Sequence, residues 1–477
     1  MQLRKRRPAK QNGQIRRTLA TLAAGLLAAG GARAQDQNAQ PSQARSDLFY
    51  ESHPDAASDT GSRVETGFLY YQEEGGRVQA LEPTISSTLG LGDDRFLSLS
   101  FVSDTLTGAS PNGAVRSDHA QNFVTPIQAA GSSVTATTAS GRSTIIALPP
   151  TPGQVAAASF GRQYTVAPNA LPVDSGFHDQ RYGGSIGWSQ LLAPMTKATV
   201  GVGYSSETDF REITANGSVS QDFNAHNTTV SLASSVELDK LQPFGGTPSG
   251  LTSMSGQWKG PSADRTVVDG VLGLTQVITR TWLAQLNYSY GMSQGYNTDP
   301  YRIVSVVDST SGEPVDYRYE SRPHKRTRQS VYLDNKVHIF ESVLDISARY
   351  FWDSWGITST TVQAAERVDL GESLYVEPQV RWYRQTAASF YRYYLVSRAP
   401  LPAFASSDTR LADFTGMTYG LKLGLAVAEN SEINILGQYY KQSGNGNPAG
   451  APGQLAHQNL FPAVSALSVF VGYSLGF

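Results

Sequence analysis

Cysteine is absent from this chain of 477 residues. Without a thiol the protein forms no disulfide, builds no thiolate metal site and attaches no haem through a C-x-x-C-H motif. Long apolar runs are missing too, because after residue 34 no stretch approaches the roughly 18 apolar residues of a transmembrane helix. These absences leave two broad classes, a globular protein without cysteine or a membrane protein built from strands.

A basic excess and the usual catalytic patterns are also lacking. The 38 Lys and Arg residues are balanced by 40 Asp and Glu, so nothing in the charge favours nucleic-acid binding. Only 7 His are present, and none sits beside a recognisable Ser or Asp motif. The best acid–base pair is His178-Asp179. We therefore predict no enzyme, with no catalytic residue, no metal site and no cofactor.

Aromatic residues, in contrast, make up 10% of the chain, with 23 Tyr against 5 Met. That composition is unusual for a helical membrane protein. It is typical of outer-membrane barrels, which carry girdles of aromatic side chains at both membrane interfaces.

The N-terminus resembles an export signal. Several Lys and Arg precede an apolar run from Leu19 to Ala29, and Ala32-Arg33-Ala34 then fits a small-x-small cleavage site. We predict a signal peptide at 1–34 and a flexible periplasmic leader at 35–62, which is polar and rich in Gln, Ser, Asp and Ala.

Many segments of about ten residues alternate apolar and polar side chains, as strands with two different environments do. In 343–352, for example, one face carries Tyr350 and Trp352 and the other carries Asp345 and Arg349. We count about sixteen such strands. They are 64–72, 77–91, 95–106, 181–193, 197–209, 211–222, 228–238, 265–279, 281–293, 328–340, 342–353, 356–369, 373–386, 413–428, 431–442 and 463–477.

The connections between these segments alternate in length. Counted back from Phe477, every second connection is short, and all the long ones lie between them. Outer-membrane barrels have short periplasmic turns and longer outer loops. The sequence thus predicts an all-β fold, a transmembrane antiparallel up-and-down β-barrel over 63–477. Its longest outer loop is 107–180, which contains a low-complexity stretch, 128–160.

The final segment places Leu467, Val471, Tyr473 and Leu475 on one apolar face and ends in Phe477. A closing strand with a terminal aromatic residue resembles the signal read by the barrel assembly machinery. We therefore expect that machinery as a partner through Phe477, and the bacterial outer membrane as the location.

Charged residues on the predicted inward faces are candidates for a pore lining that sets solute preference. They are Asp334, Lys336, Asp345, Arg349, Glu377, Arg381 and Lys422. Opposite charges lie on neighbouring strands, so a plug held by salt bridges is an equally good interpretation.

A second group is a basic cluster on an outer segment. It consists of Arg318, Arg322, Lys325, Arg326 and Arg328. Such a cluster suits an anionic solute or the phosphates of lipopolysaccharide. A solvated loop balanced by Asp308, Asp316 and Glu320 is the more favoured interpretation. Calcium ligands among Asp104, Asn112 and Asp118, or Asp299 and Asp308, follow no recognised loop spacing.

Several motifs resemble an uncharacterised Gram-negative outer-membrane β-barrel family, the domain of unknown function 3570. They include Tyr70-Tyr71-Gln72-Glu73, the run from Asp104 to Ala114, Gly295-Tyr296-Asn297-Thr298-Asp299-Pro300-Tyr301 and Trp355-Gly356-Ile357. The resemblance covers about 63–477. It implies a barrel in the outer membrane without an established activity, and a role beside periplasmic flavin-transferase and thioredoxin-like proteins.

Two functions follow from these observations. The first is a channel or transport component for small polar solutes, in contact with outer-membrane lipid and lipopolysaccharide. The alternative is a non-channel partner of a periplasmic flavin or thioredoxin-like redox system.

Overall fold

A computed structural model of the chain describes residues 61–126, 136–138, 142–144, 161–243, 245–254 and 259–477. The predicted signal peptide and all but the last two residues of the predicted leader lie outside the described residues. So does most of the low-complexity stretch 128–160. Those three assignments remain predictions.

Sixteen antiparallel strands form one closed barrel in sequence order. They are β1 (Arg63–Glu73), β2 (Gln79–Gly90), β3 (Phe96–Pro111), β4 (Val173–Ala193), β5 (Thr196–Ser206), β6 (Phe210–Phe223), β7 (Thr228–Leu241), β8 (Ala263–Thr279), β9 (Trp282–Gly295), β10 (Lys325–Ile339), β11 (Ser342–Asp353), β12 (Thr358–Asp369), β13 (Leu374–Gln385), β14 (Phe414–Ala428), β15 (Ser431–Gly444) and β16 (Ser465–Gly476). β16 pairs with β1, from Arg63 opposite Gly476 to Glu73 opposite Ala466. The predicted fold class is confirmed.

Each predicted strand corresponds to one observed strand, and the predicted ends differ most from the observed ends at β3 and β4. Their outer ends, Pro111 and Val173, pair with each other well beyond the predicted limits 106 and 181. A register shift between Gly108 and Ser110 interrupts the alternation there, and Gly108 has φ of +124°. A bulge of this kind hides a strand end from a period-two pattern.

The outer and inner faces of the barrel wall differ in the side chains that they carry, as a membrane requires. Leu232, Val200 and Ile213 point outward and are 62%, 59% and 57% exposed, whereas the inward neighbours Ala233 and Thr214 are buried. Apolar side chains toward lipid and a sheet without free edges satisfy both conditions for crossing a bilayer with strands. The turns at the end of the barrel where β1 begins and β16 ends have at most five residues, so this end is periplasmic.

β16 has the predicted orientation. Leu467, Val471, Tyr473 and Leu475 are exposed toward lipid, and Phe477 is 51% exposed beside them. On the opposite face, Phe470 is buried with Leu69 and Leu436.

Long connections at the other end fold together into a second layer, which we call the cap. It comprises 112–126 and 161–172 after β3, 296–324 after β9, 386–413 after β13 and 445–464 after β15. Its central strand Ile303–Val307 lies between Pro314–Tyr319 and the parallel Leu395–Val396. Gln121–Pro126 pairs with Gly161–Val166. Two short 3-10 helices, Thr409–Leu411 and Gly453–His457, complete it.

Smaller elements lie outside the barrel and the cap. Ala136–Thr138 pairs with Arg142–Thr144, and Thr247–Pro248 pairs with Lys259–Gly260. A 3-10 turn, Glu74–Gly76, links β1 to β2. Within the described ranges, no helix is long and apolar enough to cross a membrane.

The cap crosses the barrel mouth, because its loops start from strands far apart around the barrel and still touch. The central strand of the cap comes from the β9–β10 loop and is buried along its whole length. One of its residues, Val307, packs with Val115 of the β3–β4 loop and with Leu455 of the β15–β16 loop. Another, Val304, packs with Leu395 and Ala405 of the β13–β14 loop.

Inward-facing aromatic residues near the strand ends anchor the cap. Phe351 of β11, Tyr383 of β13 and Phe414 of β14 belong to one buried cluster with the cap residues Phe390 and Leu411. Because these strand residues point into the barrel, the cap is seated on the inner wall of the mouth. Burial of large aromatic side chains is the main source of stability for such a contact.

Candidate functional site at the barrel mouth

A buried carboxylate, Asp408, holds two cap loops together. Its oxygens lie 2.6 Å from the Arg410 guanidinium, 2.8 Å from that of Arg322 and 3.9 Å from that of Arg302. Burial alone raises the pKa of Asp408, but the Arg410, Arg302 and Arg322 guanidiniums outweigh it and hold the pKa well below its ordinary value. Asp408 is therefore ionised.

Two further carboxylates complete this ion-pair network. Glu320, which is fully buried, lies 2.6 Å from Arg322 and accepts the backbone N–H of Asp299 at 2.7 Å. Asp299 in turn lies 3.5 Å from Arg302 and 3.4 Å from Arg410. Three carboxylates and three guanidiniums thus balance within the network. Loss of one partner leaves a buried charge unpaired, which typically costs about 3–5 kcal/mol.

A cavity of about 350 Å³ lies between this network and the inner wall of β4 to β10. Five carboxylates contribute to its lining, namely Asp179, Glu207, Asp209, Asp299 and Asp408. Five guanidiniums face them, from Arg265, Arg322, Arg326, Arg328 and Arg410. Tyr296, Tyr301, Phe210 and Trp355 supply aromatic surface. Its size falls in the range of small-molecule sites, about 300–1,000 Å³.

The arginines of the cavity are all committed to carboxylates. They pair as Arg265 with Asp239, Arg322 with Glu320, Arg326 with Asp353, Arg328 with Asp269 and Arg410 with Asp408. The Arg326 guanidinium also lies over the Trp355 ring, 4.3 Å from its centroid. These contacts fix the guanidiniums in place, so the wall is a preorganised polar surface.

The acidic side of the cavity is less well compensated. Burial, reinforced by the nearby Asp179 carboxylate, raises the pKa of Glu207 to about 8. Burial also raises the pKa of Asp209, although the Tyr301 hydroxyl donates a hydrogen bond to it. Glu207 is therefore protonated at neutral pH.

All seven residues predicted to line the lumen lie on the inward face of their strands. Lys336 and Asp345 are register partners, with Nζ 2.7 Å from the carboxylate, and Glu377 is the register partner of Lys422. Asp334 is buried opposite Ser347. Arg349 and Arg381 share this face. The geometry fits both interpretations of the sequence, and a role in solute selection stays a prediction.

The predicted basic cluster does not form one exposed patch. Arg322, Arg326 and Arg328 are buried and paired with carboxylates inside the mouth. Arg318 lies 3.4 Å from Asp316 and donates to the carbonyl of Leu251. Only Lys325 of the five is exposed. Alternation along β10 separates the exposed Lys325 from the inward-facing Arg326 and Arg328, whereas Arg318 and Arg322 belong to the cap.

No acid–base pair forms at His178-Asp179. The two residues are consecutive in β4, so Asp179 faces the cavity while His178 is exposed on the opposite side. The stretch Gly183–Gly187 fits G-x-S-x-G, but it lies in the middle of β4, where Ser185 contacts Ser100. A nucleophile elbow requires a strand-to-helix turn, which is missing at this point.

The oxygen ligands considered for calcium are not brought together. Asp104 pairs with Arg181 at 2.8 Å, Asp299 belongs to the cap network, and Asp308 accepts backbone N–H groups of its own turn. Two other acidic groupings were not predicted. One consists of the exposed Asp118 and His119 with the half-buried Glu313, and the other of the buried Glu212, Glu237 and Asp239.

Among solved structures, the fold is similar to several outer-membrane proteins at low identity. A bacterial polysaccharide outer membrane secretin is 8% identical, with TM-score 0.41 over 87% of this chain and 98% of the secretin. The toluene transporter TodX of Pseudomonas putida is 10% identical, with TM-score 0.33 over 88% of this chain and 90% of the transporter. The siderophore receptor PirA of Pseudomonas aeruginosa is 9% identical, with TM-score 0.35 over 80% of this chain and 56% of the receptor. The chain therefore spans about half the length of that receptor.

No curated protein matches the sequence. One family model does match, over residues 19–475, which is nearly the whole chain. The chain belongs to the family described as Protein of unknown function (DUF3570).

Proposed function

We propose that this protein is a channel of the bacterial outer membrane that admits small polar solutes past a movable cap. The observation that carries the proposal is the charged cavity of about 350 Å³ between the cap and the inner wall of the barrel. A partly enclosed space lined by carboxylates and guanidiniums suits a small polar molecule and disfavours an apolar one.

The barrel below the cavity supports the same function. Its inward face carries ion pairs such as Lys336 with Asp345 rather than a continuous apolar core. Sixteen strands leave room for an aqueous passage where no loop fills the lumen. The cap then becomes the element that decides whether the mouth is open.

A disulfide across the cap tests this function, and the natural absence of cysteine makes the background clean. Ser321 and Ala405 join the β9–β10 and β13–β14 loops through two backbone hydrogen bonds, of 2.8 and 3.0 Å. Residues paired in this way have Cα atoms about 5.5 Å apart, within disulfide range. The double variant Ser321→Cys/Ala405→Cys therefore locks the two loops without rebuilding the backbone.

We expect the wild-type protein to conduct ions in planar bilayers with transitions between open and closed levels. The oxidised double variant should stay mostly closed, and a reductant should restore wild-type behaviour. Each single cysteine variant is a control and should behave like the wild type. A wild-type protein that never conducts would refute the channel, and an oxidised variant that conducts like the reduced one would refute gating by the cap.

The alternative, a non-channel partner of periplasmic redox proteins, rests on the family resemblance alone. It stays a prediction, because no feature of the described chain favours it.

A further inference from the structure

Three carboxylates lie together on the inward face of β6 and β7, next to the cavity. Glu212 and Asp239 are register partners, and Glu237 lies two residues before Asp239 on the same face. One oxygen from each lies within 4.8 Å of the others, and the residues are 5%, 4% and 1% exposed. Such a concentration of buried negative charge requires a counter-charge.

The described residues supply only part of that counter-charge. Arg265 lies 2.7 Å from Asp239. Two other guanidiniums near the three carboxylates, those of Arg181 and Arg328, are engaged by Asp104 and Asp269. The Thr214 hydroxyl donates to Glu212 at 2.6 Å. In the described part of the chain, Arg265 is thus the guanidinium that pairs with this group, against three carboxylates.

Glu237 is the member without support. Among the described residues, no N–H or O–H group donates to either of its oxygens, although the side chain is almost completely buried. A carboxylate oxygen of Asp239 lies within 4.8 Å of one from Glu237, and two carboxylates at that distance need a cation or a proton between them. The Ser205 hydroxyl, on the register partner of Glu212, is likewise buried without a partner. Buried polar groups are normally satisfied, so these oxygens favour a bound cation as their partner.

We propose that Glu212, Glu237 and Asp239 form a site for a divalent cation of the Ca²⁺ type. Together with Arg265, one divalent cation neutralises the three carboxylates. Ca²⁺ takes carboxylate and hydroxyl oxygens at about 2.3–2.6 Å, so ligand atoms up to about 5 Å apart can share one ion. Mg²⁺ needs about 2.0–2.1 Å in a stricter octahedron, which suits a more compact oxygen set.

The site borders the cavity, because Arg265 and Val267 are the register partners of Asp239 and Glu237 and both line that space. A bound ion ties β6 to β7 close to their outer ends. The inference does not depend on conduction, because it concerns the carboxylates of the barrel wall and not the movement of the cap.

The test is Ca²⁺ binding to the folded protein in detergent micelles free of lipopolysaccharide. Thermal unfolding and calorimetric titration are followed with Ca²⁺, with Mg²⁺ and with Na⁺ at equal ionic strength. We expect one saturable Ca²⁺ site that raises the Tm by stabilising the folded state. Glu237→Gln should weaken Ca²⁺ binding at least about 10-fold. Losing a group that only supports a metal ligand typically costs about 10- to 100-fold in affinity, and losing the ligand itself costs no less. It should also refold readily, since it removes an uncompensated charge.

The matched control is Glu313→Gln, in the group of Asp118, His119 and Glu313 on the cap, and this variant should bind Ca²⁺ like the wild type. Glu212→Gln provides a second test of the site if Glu237→Gln does not refold. The proposal is overturned if the wild type shows no saturable Ca²⁺ stabilisation, which means that the carboxylates hold protons only. It is equally overturned if Glu313→Gln abolishes binding while Glu237→Gln, or Glu212→Gln in its place, retains it. Tighter binding of Mg²⁺ would exclude a Ca²⁺-type site.

Discussion

The backbone N–H of Ile303 donates to the carbonyl of Asn112 at 3.0 Å, although the two residues belong to loops six strands apart around the barrel. Ile303 starts the central strand of the cap, and Asn112 follows β3. Nearby, the Arg302 guanidinium donates to the carbonyl of Pro111 at 2.6 Å. Contacts between such distant sectors form only if the loops cross the mouth.

Asp408→Asn should loosen the cap. The substitution leaves Arg322 and Arg302 buried with less negative charge beside them, at a cost of about 3–5 kcal/mol. Arg398 lies in the same loop, two residues after the Leu395–Val396 strand that pairs with the central strand of the cap. A protease must draw out several residues around the bond that it cuts, so tryptic cleavage after Arg398 reports opening of the cap. We expect cleavage to accelerate at least about 100-fold if the equilibrium for opening governs it.

Asp316→Asn is the matched control for that experiment. Asp316 and Arg318 form a half-exposed pair within the same cap, and such pairs contribute about 0–1 kcal/mol. Equal acceleration in the two variants would show that the Asp408 network does not hold the cap.

Glu207 should make stability depend on pH. Its pKa rises from 4.5 to about 8 on folding, so the folded state binds this proton more tightly than the unfolded chain. Folding stability therefore falls as the pH increases from about 4.5 to about 8, and the loss is complete above that range. Glu207→Gln keeps the shape of the protonated acid and removes the loss.

Thermal unfolding at pH 5 and pH 9 measures this effect. We expect the Tm of Glu207→Gln relative to the wild type to be higher at pH 9 than at pH 5. Glu341→Gln removes the same charge from an exposed periplasmic turn, away from the cavity, and serves as control. A wild type and a Glu207→Gln variant with parallel pH profiles would contradict the assignment.

Leu232→Arg tests the lipid-facing surface. Leu232 is exposed on β7 toward the bilayer, where an arginine costs about 2–4 kcal/mol near the midplane. Equilibrium unfolding from lipid bilayers should show that loss, whereas Leu232→Ala keeps an apolar surface and should lose less. A Leu232→Arg variant as stable as the wild type would place this surface in water.

Much of the barrel follows from sequence because each strand reports its own environment. The alternation of Tyr350 and Trp352 with Asp345 and Arg349 in β11 needs only local information, and the structure confirms it. The length of each turn is also local information, and it identifies the periplasmic end of the barrel. The ends of β3 and β4 were missed because the bulge at Gly108 breaks the period of two.

The cap could not be predicted, because its contacts join loops that are distant in sequence. Arg322 looks solvated when only residues 318–328 are considered, and its partner Asp408 lies 86 residues away. The pairing of Glu212 with Asp239 is a different case. The β6–β7 hairpin turn at 224–227 sets the register, so counting outward from it places these two carboxylates opposite each other.

Thiol labelling of the cysteine-free chain in lipid bilayers tests the whole account most directly. Gln379 faces the lumen and the next residue, Val380, faces lipid. A membrane-impermeant maleimide added outside should label Gln379→Cys slowly, label it faster when Asp408→Asn is also present, and leave Val380→Cys unmodified. Equal labelling of the two positions, or a rate at Gln379→Cys that ignores Asp408→Asn, would contradict a water-filled barrel closed by the cap.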